Sequence, residues 1–383
     1  MTGIAPAYNL AAWRRRIPLL ASCIPMNNCS HSPQCDATRA AADRYLESWN
    51  TRGMDWDAWM EEVRLAKAAF ARLINASPHD IAVFSSVSEA TSAVASAIDF
   101  SGSRAGVVVS EAEFPTIGHV WLAQQRRGAK VAWVPLTDGA IESSDYDPII
   151  DDETAIVSAT HAYFLNGSIQ FVGDIARKAH AHGALLYVDA YQTAGSTPID
   201  VEAIGADFLV AGALKFLMGV PGIAFLYVRP DVAERLQPTV TGWFGREHPY
   251  AFDVKHLDWA PRASRFDTGT PPMVNAYIAR AGMEMLAEIG VDRIHAWHQI
   301  LAYRLLDGGR ARGLEVHGNP DHPEKTVTTG FIVPESGALE VRMRARWVLP
   351  SARGPVIRLA PHFYSSIADV DTALDLLAEL VVR

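Results

Sequence analysis

Three polar residues in the middle of the chain could do chemistry together. Asp189 follows directly on an apolar run, Gln192 lies three residues further on, and Lys215 follows a second apolar run. A lysine in apolar surroundings is desolvated, which lowers its pKa and makes the neutral amine available for a Schiff base. A carboxylate opposite it could keep a pyridinium nitrogen protonated, as the electron sink of pyridoxal phosphate requires. The alternative is a turn-capping Asp189 and a surface Lys215, and these residues alone leave both interpretations open.

Three short apolar segments must position these side chains. They cover residues 185–188, 208–210 and 224–228, and each is bounded by Gly, Pro or Asp. This pattern is typical of buried parallel strands. Because strand ends in an open α/β sheet face the ligand crevice, we expect Asp189 and Lys215 to lie in that crevice.

A second candidate element combines a strand at 81–84 with a serine-rich turn and an amphipathic helix. Helix N-termini bind phosphate through free backbone N–H groups and the helix dipole. Ser86, Val87 and Ser88 would lie there, with Ser88 as the N-cap. The alternative is an ordinary capping turn that binds nothing.

The periodicity of the remaining chain predicts a large α/β unit followed by a smaller α+β unit. Two amphipathic helices occupy 36–76 and break near Gly53, and further helices follow at 172–182, 273–289, 291–308 and 368–382. Strands are expected at 105–110, 155–160, near 326–333 and at 356–359. The 383 residues suffice for two lobes.

Composition excludes several classes of protein. The net charge is −9, with 34 basic and 43 acidic residues and no basic block, which argues against nucleic-acid binding and a basic membrane surface. No apolar run approaches the length of a membrane span. Three cysteines (Cys23, Cys29 and Cys35) are too few for a disulfide framework and match no zinc spacing, so we expect a cytoplasmic protein without a metal site.

The segment YVDAYQTAGSTPIDVEAIGADFLVAGALKFLMGVPGIAFLYV resembles the core of fold-type I pyridoxal-phosphate enzymes of the class V aminotransferase family. Cysteine desulfurases, selenocysteine lyases, kynureninases and isopenicillin-N-epimerase-like proteins belong to this family. The resemblance runs from Met26 to the C-terminus. It implies an N-terminal arm (1–35), a large cofactor-binding domain with a mostly parallel sheet flanked by helices (36–255), and a small α+β domain (256–383).

The resemblance assigns roles around the cofactor, pyridoxal 5'-phosphate. Lys215 matches the Schiff-base lysine, Asp189 the partner of the pyridinium nitrogen, and Gln192 the residue that bonds the 3-hydroxyl. Phe114 matches the residue stacked on the ring, and the turn around Ser88 matches the phosphate-binding turn. Desulfurases have Ser and His just before the lysine where this chain has Gly212 and Leu214, so two phosphate ligands must be replaced.

Two segments further on are candidates for that replacement. TGWFGREHPYAF resembles a kynureninase segment whose tryptophan reaches the phosphate, which makes Trp243 a candidate. RFDTGTPP matches a loop that crosses from the partner subunit, which gives Gly269 and Thr270 that role. The resemblance therefore implies a homodimer with shared active sites. The alternatives are a buried Trp243 and a helix entry at Pro271.

An amino-acid substrate is implied by the C-terminal segment VIRLAPHFYSS. Arg358 matches the family arginine that binds the substrate α-carboxylate, and a guanidinium suits a bidentate grip on a carboxylate. Without the resemblance a surface salt bridge would be the better interpretation. Further candidate substrate contacts are Asn28, His31, Phe164 and Tyr364, with a turn-rich loop as the alternative for the first two.

The cysteine positions bear on the reaction. Desulfurases carry a nucleophilic cysteine on a loop shortly before the carboxylate-binding arginine, and VRMRARWVLPSARGPVIR contains none. The family's reactions share a Lys Schiff base and a quinonoid intermediate, so Lys215 and Asp189 do not choose among them. We predict an amino-acid lyase of the C–S or kynureninase-like kind without a catalytic cysteine. The alternatives are an aminotransferase, then an epimerase, and a relative that no longer catalyses.

Overall fold

The computed structural model describes residues 5–319 and 324–382. Its helices are α1 (Leu10–Arg15), α2 (Asp36–Arg52), α3 (Trp56–Leu73), α4 (Val87–Ala97), α5 (Pro115–Ala123), α6 (Val172–Ala181), α7 (Val201–Ile204), α8 (Pro230–Arg235), α9 (Met273–Ile289), α10 (Val291–Ala311), α11 (Ser336–Arg344) and α12 (Ile367–Val382). Its strands are β1 (Ile24–Pro25), β2 (Ile81–Phe84), β3 (Gly106–Ser110), β4 (Lys130–Val134), β5 (Thr154–Thr160), β6 (Leu185–Asp189), β7 (Phe208–Gly212), β8 (Ala224–Val228), β9 (Glu315–Val316), β10 (Thr329–Ile332), β11 (Val348–Leu349), β12 (Ser351–Arg353) and β13 (Val356–Leu359). The helices and strands expected from periodicity are present, with ends that differ by a few residues.

The central sheet has seven strands in the order β2-β8-β7-β6-β5-β3-β4. Strand β8 runs antiparallel to both of its neighbours, and the other pairs are parallel. The expectation that all three central apolar segments are parallel strands is therefore wrong for β8. A parallel return needs a crossover of a dozen or more residues, usually a helix, and the link 213–223 is shorter and has no α-helix.

Two apolar layers sandwich this sheet, which is why its strands are apolar on both faces. Leu186 and Val188 face the layer that contains α3, α6 and α9, whereas Tyr187 between them faces the layer with α4 and α5. Alternation of this kind follows from the two-residue period of a strand. Because β6 and β7 are paired and buried on both faces of the sheet, their carboxyl ends lie side by side.

A second sheet carries the C-terminal part of the chain. Its order is β12-β13-β10-β9, all antiparallel, and helices α10, α11 and α12 contribute to its core. The N-terminal arm is tied to the same region, because β1 pairs with β11 and Asn27 bridges Ala360.

The two sheets fall on either side of the predicted domain boundary at residue 255. Helix α9, however, lies beyond that boundary and packs against α2 and α3, which precede it. The exact division into domains stays a prediction. Among the described residues, no helix combines the length and the apolar character that a membrane span requires.

Candidate active site

A cavity of about 490 Å³ opens where the carboxyl ends of β6 and β7 meet the N-terminus of α4. It brings together eight of the residues predicted from the sequence to form the site. They are Ser86, Val87, Ser88, Phe114, Asp189, Gln192, Lys215 and Arg358. We call this space the active-site cavity.

Lys215 lies just beyond the end of β7 and is only 8% exposed. Its Nζ is 3.9 Å from the ring centroid of Tyr191 and 5.5 Å from that of Phe114. Burial lowers the pKa of Lys215 to about 8, although the nearby Asp189 carboxylate acts in the opposite direction. The amine is thus buried, aimed into a cavity, and easier to deprotonate than an exposed lysine.

Tyr191 is a cavity residue that the sequence reasoning missed. A Cβ added at Gly212 would lie 2.2 Å from Cζ of Tyr191, so only glycine leaves room for this ring at the end of β7. Two features of the sequence could have indicated this contact. Tyr191 is an aromatic residue between Asp189 and Gln192, and β7, the next strand along the chain, ends in Gly212.

Asp189 ends β6 and is buried, and its Oδ1 accepts the backbone N–H of Tyr191 at 2.8 Å. Burial raises its pKa, while that hydrogen bond and Lys215 oppose the increase. A second buried carboxyl, Glu113, accepts a hydrogen bond from Ser158 Oγ at 3.0 Å. Burial, and then the charge of Asp189, raise the pKa of Glu113 well above its usual value. Burial therefore favours the neutral form of both carboxyls, and more strongly that of Glu113.

Gln192 offers a vacant acceptor inside the protein. Its Nε2 donates to the carbonyl oxygen of Cys29 at 3.1 Å, whereas its Oε1 is buried and finds no hydrogen-bond partner among the described residues. A buried acceptor without a partner costs about 1–3 kcal/mol. A ligand hydroxyl at this position would satisfy it, and the 3-hydroxyl of pyridoxal phosphate fits.

The N-terminus of α4 forms the other end of the cavity. Ser86, in an extended conformation, is the N-cap, and its Oγ accepts the N–H of Glu89 at 3.2 Å. The prediction of Ser88 as N-cap is therefore wrong by two residues, because the helix already starts at Val87. The Ser88 hydroxyl instead bonds the Thr116 hydroxyl at 2.7 Å. The first N–H groups of the helix remain available to a phosphate.

The predicted substitute phosphate ligands do not lie in this cavity. Trp243 is in an aromatic cluster, with ring centroids 6.0 Å from Trp56 and 4.3 Å from Phe244. Gly269 and Thr270 are exposed on the surface. None of the three is among the described residues that line the cavity, so their role at the phosphate of a partner subunit stays a prediction.

Arg358 is a buried cation, 1% exposed, on the central strand β13 of the small sheet. Its guanidinium donates to the carbonyl oxygen of Phe164 at 2.8 Å and to the hydroxyls of Ser30 and Ser351 at 2.8 and 2.7 Å. These partners are neutral, and the described residues provide no ion pair for it. The burial excludes the surface salt bridge that was the alternative for this residue, and it leaves a positive charge facing the cavity.

The other predicted substrate contacts lie around the cavity rather than on its lining. Asn28 and Tyr364 are buried and hydrogen-bonded to each other. The Phe164 ring packs edge to face on Phe114 at 5.3 Å, and His31 is exposed. Contact of these four residues with a substrate stays a prediction.

Cys29 does line the cavity, although the sequence placed it in an arm without a catalytic role. It is 1% exposed, and its carbonyl oxygen accepts the hydrogen bond from Gln192. Pairing of β1 with β11 brings this part of the arm to the site. A cysteine of the N-terminal arm can therefore line this cavity.

Comparison with known proteins agrees with this geometry. Residues 30–337 match the family model described as aminotransferase class-V. An uncharacterized aminotransferase of Bacillus subtilis, YcbU, is 34% identical over 97% of this chain and 98% of that protein. A probable cysteine desulfurase of Methanothermobacter thermautotrophicus is 27% identical over 96% of this chain and 97% of that protein. The apo structure of a cysteine desulfurase from Thermococcus onnurineus shares the fold, with a TM-score of 0.88, 22% identity and full coverage of both chains.

The chain belongs to the class V aminotransferase family. The fold prediction, a fold-type I α/β enzyme, is confirmed, as are the predicted cofactor, pyridoxal phosphate, and the enzyme class. The vacant Gln192 acceptor, the buried Asp189 and the free helix N-terminus fit this cofactor.

The pKa of Lys215 predicts how fast the cofactor-free protein takes up pyridoxal phosphate. Only the neutral amine attacks an aldehyde, so the rate should rise with pH until about 8 and then level off. Roughly a tenth of Lys215 would be neutral at pH 7, against well under one per cent of an ordinary lysine. The visible absorbance change, followed from pH 6 to 10 beside Nα-acetyl-lysine as a control, measures this. A profile as alkaline as that of the control would contradict the prediction.

Proposed function

We propose that the protein transforms an amino acid at its α-carbon, with Lys215 as the base and Arg358 as the carboxylate ligand. The observation that carries this proposal is the buried Arg358, whose charge has only neutral partners and faces the same cavity as Lys215 and Asp189. An amino-acid carboxylate would supply the missing negative charge and accept a charge-assisted hydrogen bond from the guanidinium.

Each of the cavity residues has a separate role in this proposal. Pyridoxal phosphate supplies an electron sink for charge that develops at the α-carbon. A charged Asp189 would keep the pyridine nitrogen protonated, Gln192 would accept a hydrogen bond from the 3-hydroxyl at its Oε1, and the α4 N-terminus would hold the phosphate. Lys215 would bind the cofactor and move the α-proton through its Nζ. Arg358 fixes the carboxylate and thereby the orientation of the α-carbon.

For the reaction we propose a lyase without a catalytic thiol. A persulfide-forming cysteine must meet the substrate and then an external acceptor, whereas Cys29 is only 1% exposed. Substitution of Cys29 by Ala should therefore leave turnover within about twofold of the wild type, as expected for a small buried hydrophobe. The second candidate is an aminotransferase, because the Bacillus relative with 34% identity carries that name.

The cofactor spectrum during incubation with L-amino acids, without any oxo acid, separates these candidates. A lyase forms product over many turnovers and keeps its visible band. An aminotransferase loses the band after one turnover and recovers it when an oxo acid is added. Failure of the purified protein to acquire a visible band with added pyridoxal phosphate would refute the proposal.

Removal of the Arg358 guanidinium tests the carboxylate site. Arg358→Gln should lower kcat/KM by at least about a hundredfold, because a charge-assisted contact is lost in a buried site. The effect should appear mainly in KM, and the cofactor band should remain. Arg304→Gln, at a surface ion pair with Asp371, is the matched control and should change kcat/KM little. Equal losses in both variants would contradict the assignment.

We also propose that two chains assemble with shared active sites. Gly269 and Thr270 are exposed and unavailable to the cavity of their own chain, as residues that serve a partner would be. Light scattering should give twice the chain mass. A catalytically inactive Lys215→Ala chain mixed with a Thr270→Arg chain should regain activity through hybrid dimers, and a monomer would end this part of the proposal. We further propose that the protein is cytoplasmic.

A further inference from the structure

We propose that Arg353 recognises a second negative charge on the substrate, so that the preferred amino acid has an acidic side chain. This inference rests on the proposed function, since it requires Arg358 to hold the α-carboxylate. Arg353 lines the active-site cavity together with Arg358 and is exposed at its rim. The sequence reasoning gave it no role.

The hairpin β12–β13 fixes where Arg353 points. Ser351 pairs with Arg358, and Arg353 pairs with Val356 across the two-residue turn Gly354-Pro355. Because side chains alternate along a strand, Arg353 shares a face with Ser351, and Ser351 already contacts the Arg358 guanidinium. Both arginines therefore project from the same face of the hairpin, offset by about 7 Å along the strand.

The turn itself favours this fixed arrangement. Gly354 has a φ of 53°, in the left-handed region that glycine adopts without strain. A two-residue turn leaves the strand ends little freedom. The Arg353 Cα is thus held at the rim, and its long side chain covers the remaining distance to a ligand.

The charge at this end of the cavity is not balanced by the protein. Arg353 donates to the carbonyl oxygen of Ala352 at 2.7 Å and forms no ion pair with any residue that the structure describes. The nearest acid on the neighbouring helix, Glu340, is already engaged by Arg344 at 2.8 Å and by the Ala352 N–H at 2.9 Å. Arg353 and Arg358 together thus present two positive charges, and one α-carboxylate matches only one of them.

The phosphate of a bound cofactor would be another source of negative charge in this cavity. Its proposed site is the N-terminus of α4, where Ser86 to Ser88 lie, whereas Arg353 extends from the hairpin that carries Arg358. Assignment of Arg353 to the substrate side follows from this shared hairpin. Cofactor retention must therefore be measured alongside carboxylate binding.

The test uses unreactive acids with the holoenzyme. Succinate and glutarate are compared with butanoate and pentanoate, which have the same chain lengths and one carboxylate, by calorimetry and by displacement of an amino-acid substrate. The wild type should bind each diacid about two- to fivefold tighter than its monoacid, as expected for one added ion pair at a partly exposed site. Arg353→Gln should abolish this preference and leave the monoacid affinities unchanged.

A matched control is Arg346→Gln, an exposed arginine of the same region that pairs with Glu379 and lies off the cavity lining. It should keep the diacid preference, and Arg353→Lys should keep part of it. A wild type without the preference, or an Arg353→Gln protein that retains it, would overturn the inference. Faster cofactor loss from Arg353→Gln with an unchanged preference would assign Arg353 to the phosphate instead. If the wild type binds no carboxylate at all, the proposed function itself fails.

Discussion

Lys215→Ala is expected to lower turnover by at least about a thousandfold. The variant loses both the amine that binds the cofactor and the base that moves the α-proton, and general-base catalysis alone contributes 10²–10⁴-fold. The substitution removes a side chain from a cavity wall, so the fold should persist, and circular dichroism should match that of the wild type. Turnover within about tenfold of the wild type would contradict the assignment.

A second buried lysine, Lys325, provides an internal comparison for the site of cofactor attachment. Burial lowers the pKa of Lys325 to about 7, further than that of Lys215. Its Nζ, however, donates to the carbonyl oxygens of Thr326 and Thr328 and to the Thr329 hydroxyl, and it does not line the active-site cavity. After borohydride reduction of the holoenzyme, peptide mapping should therefore find the pyridoxyl group on Lys215. A label on Lys325 would show that pKa, and not position, governs attachment.

Asp189→Asn is expected to lower turnover by at least about a hundredfold while the cofactor stays attached. The amide can still accept the Tyr191 N–H, so local structure is kept, but it carries no charge to hold the pyridine nitrogen protonated. Loss of this charge weakens the electron sink. A rate constant for loss of the α-deuteron from labelled substrate measures the step directly, and an unchanged value would contradict the role of Asp189.

Glu113→Gln is the control for Asp189→Asn. Glu113 is also a buried carboxyl and lies within electrostatic reach of Asp189. Burial and the charge of Asp189 raise the pKa of Glu113 well above its usual value and so favour its neutral form, which glutamine mimics. Its rate should stay within about fivefold of the wild type. A loss as large as that of Asp189→Asn would show that any buried substitution here disrupts the site.

The local pattern of the chain was sufficient for the strands and for the polar residues at their ends. Apolar segments of β6 and β7 are short and end in Asp189 and in Gly212 before Lys215, so parallel pairing places these residues in one crevice. The resemblance of this segment to a known family then gave the cofactor. Arg358 was also found this way, because a strand-end arginine within a recognisable motif is a local signal.

Contacts between distant segments could not be read from local patterns. The direction of β8 depends on the length of its link to β7, and the cavity positions of Cys29 and Arg353 depend on the pairing of β1 with β11 and of β12 with β13. Likewise, Trp243 is part of a recognisable motif but packs in an aromatic cluster away from the cavity of its own chain. The type of a side chain and its neighbours in the sequence determine what chemistry it can do. The residues that it contacts in the folded protein belong to distant segments, which meet only when the sheets assemble.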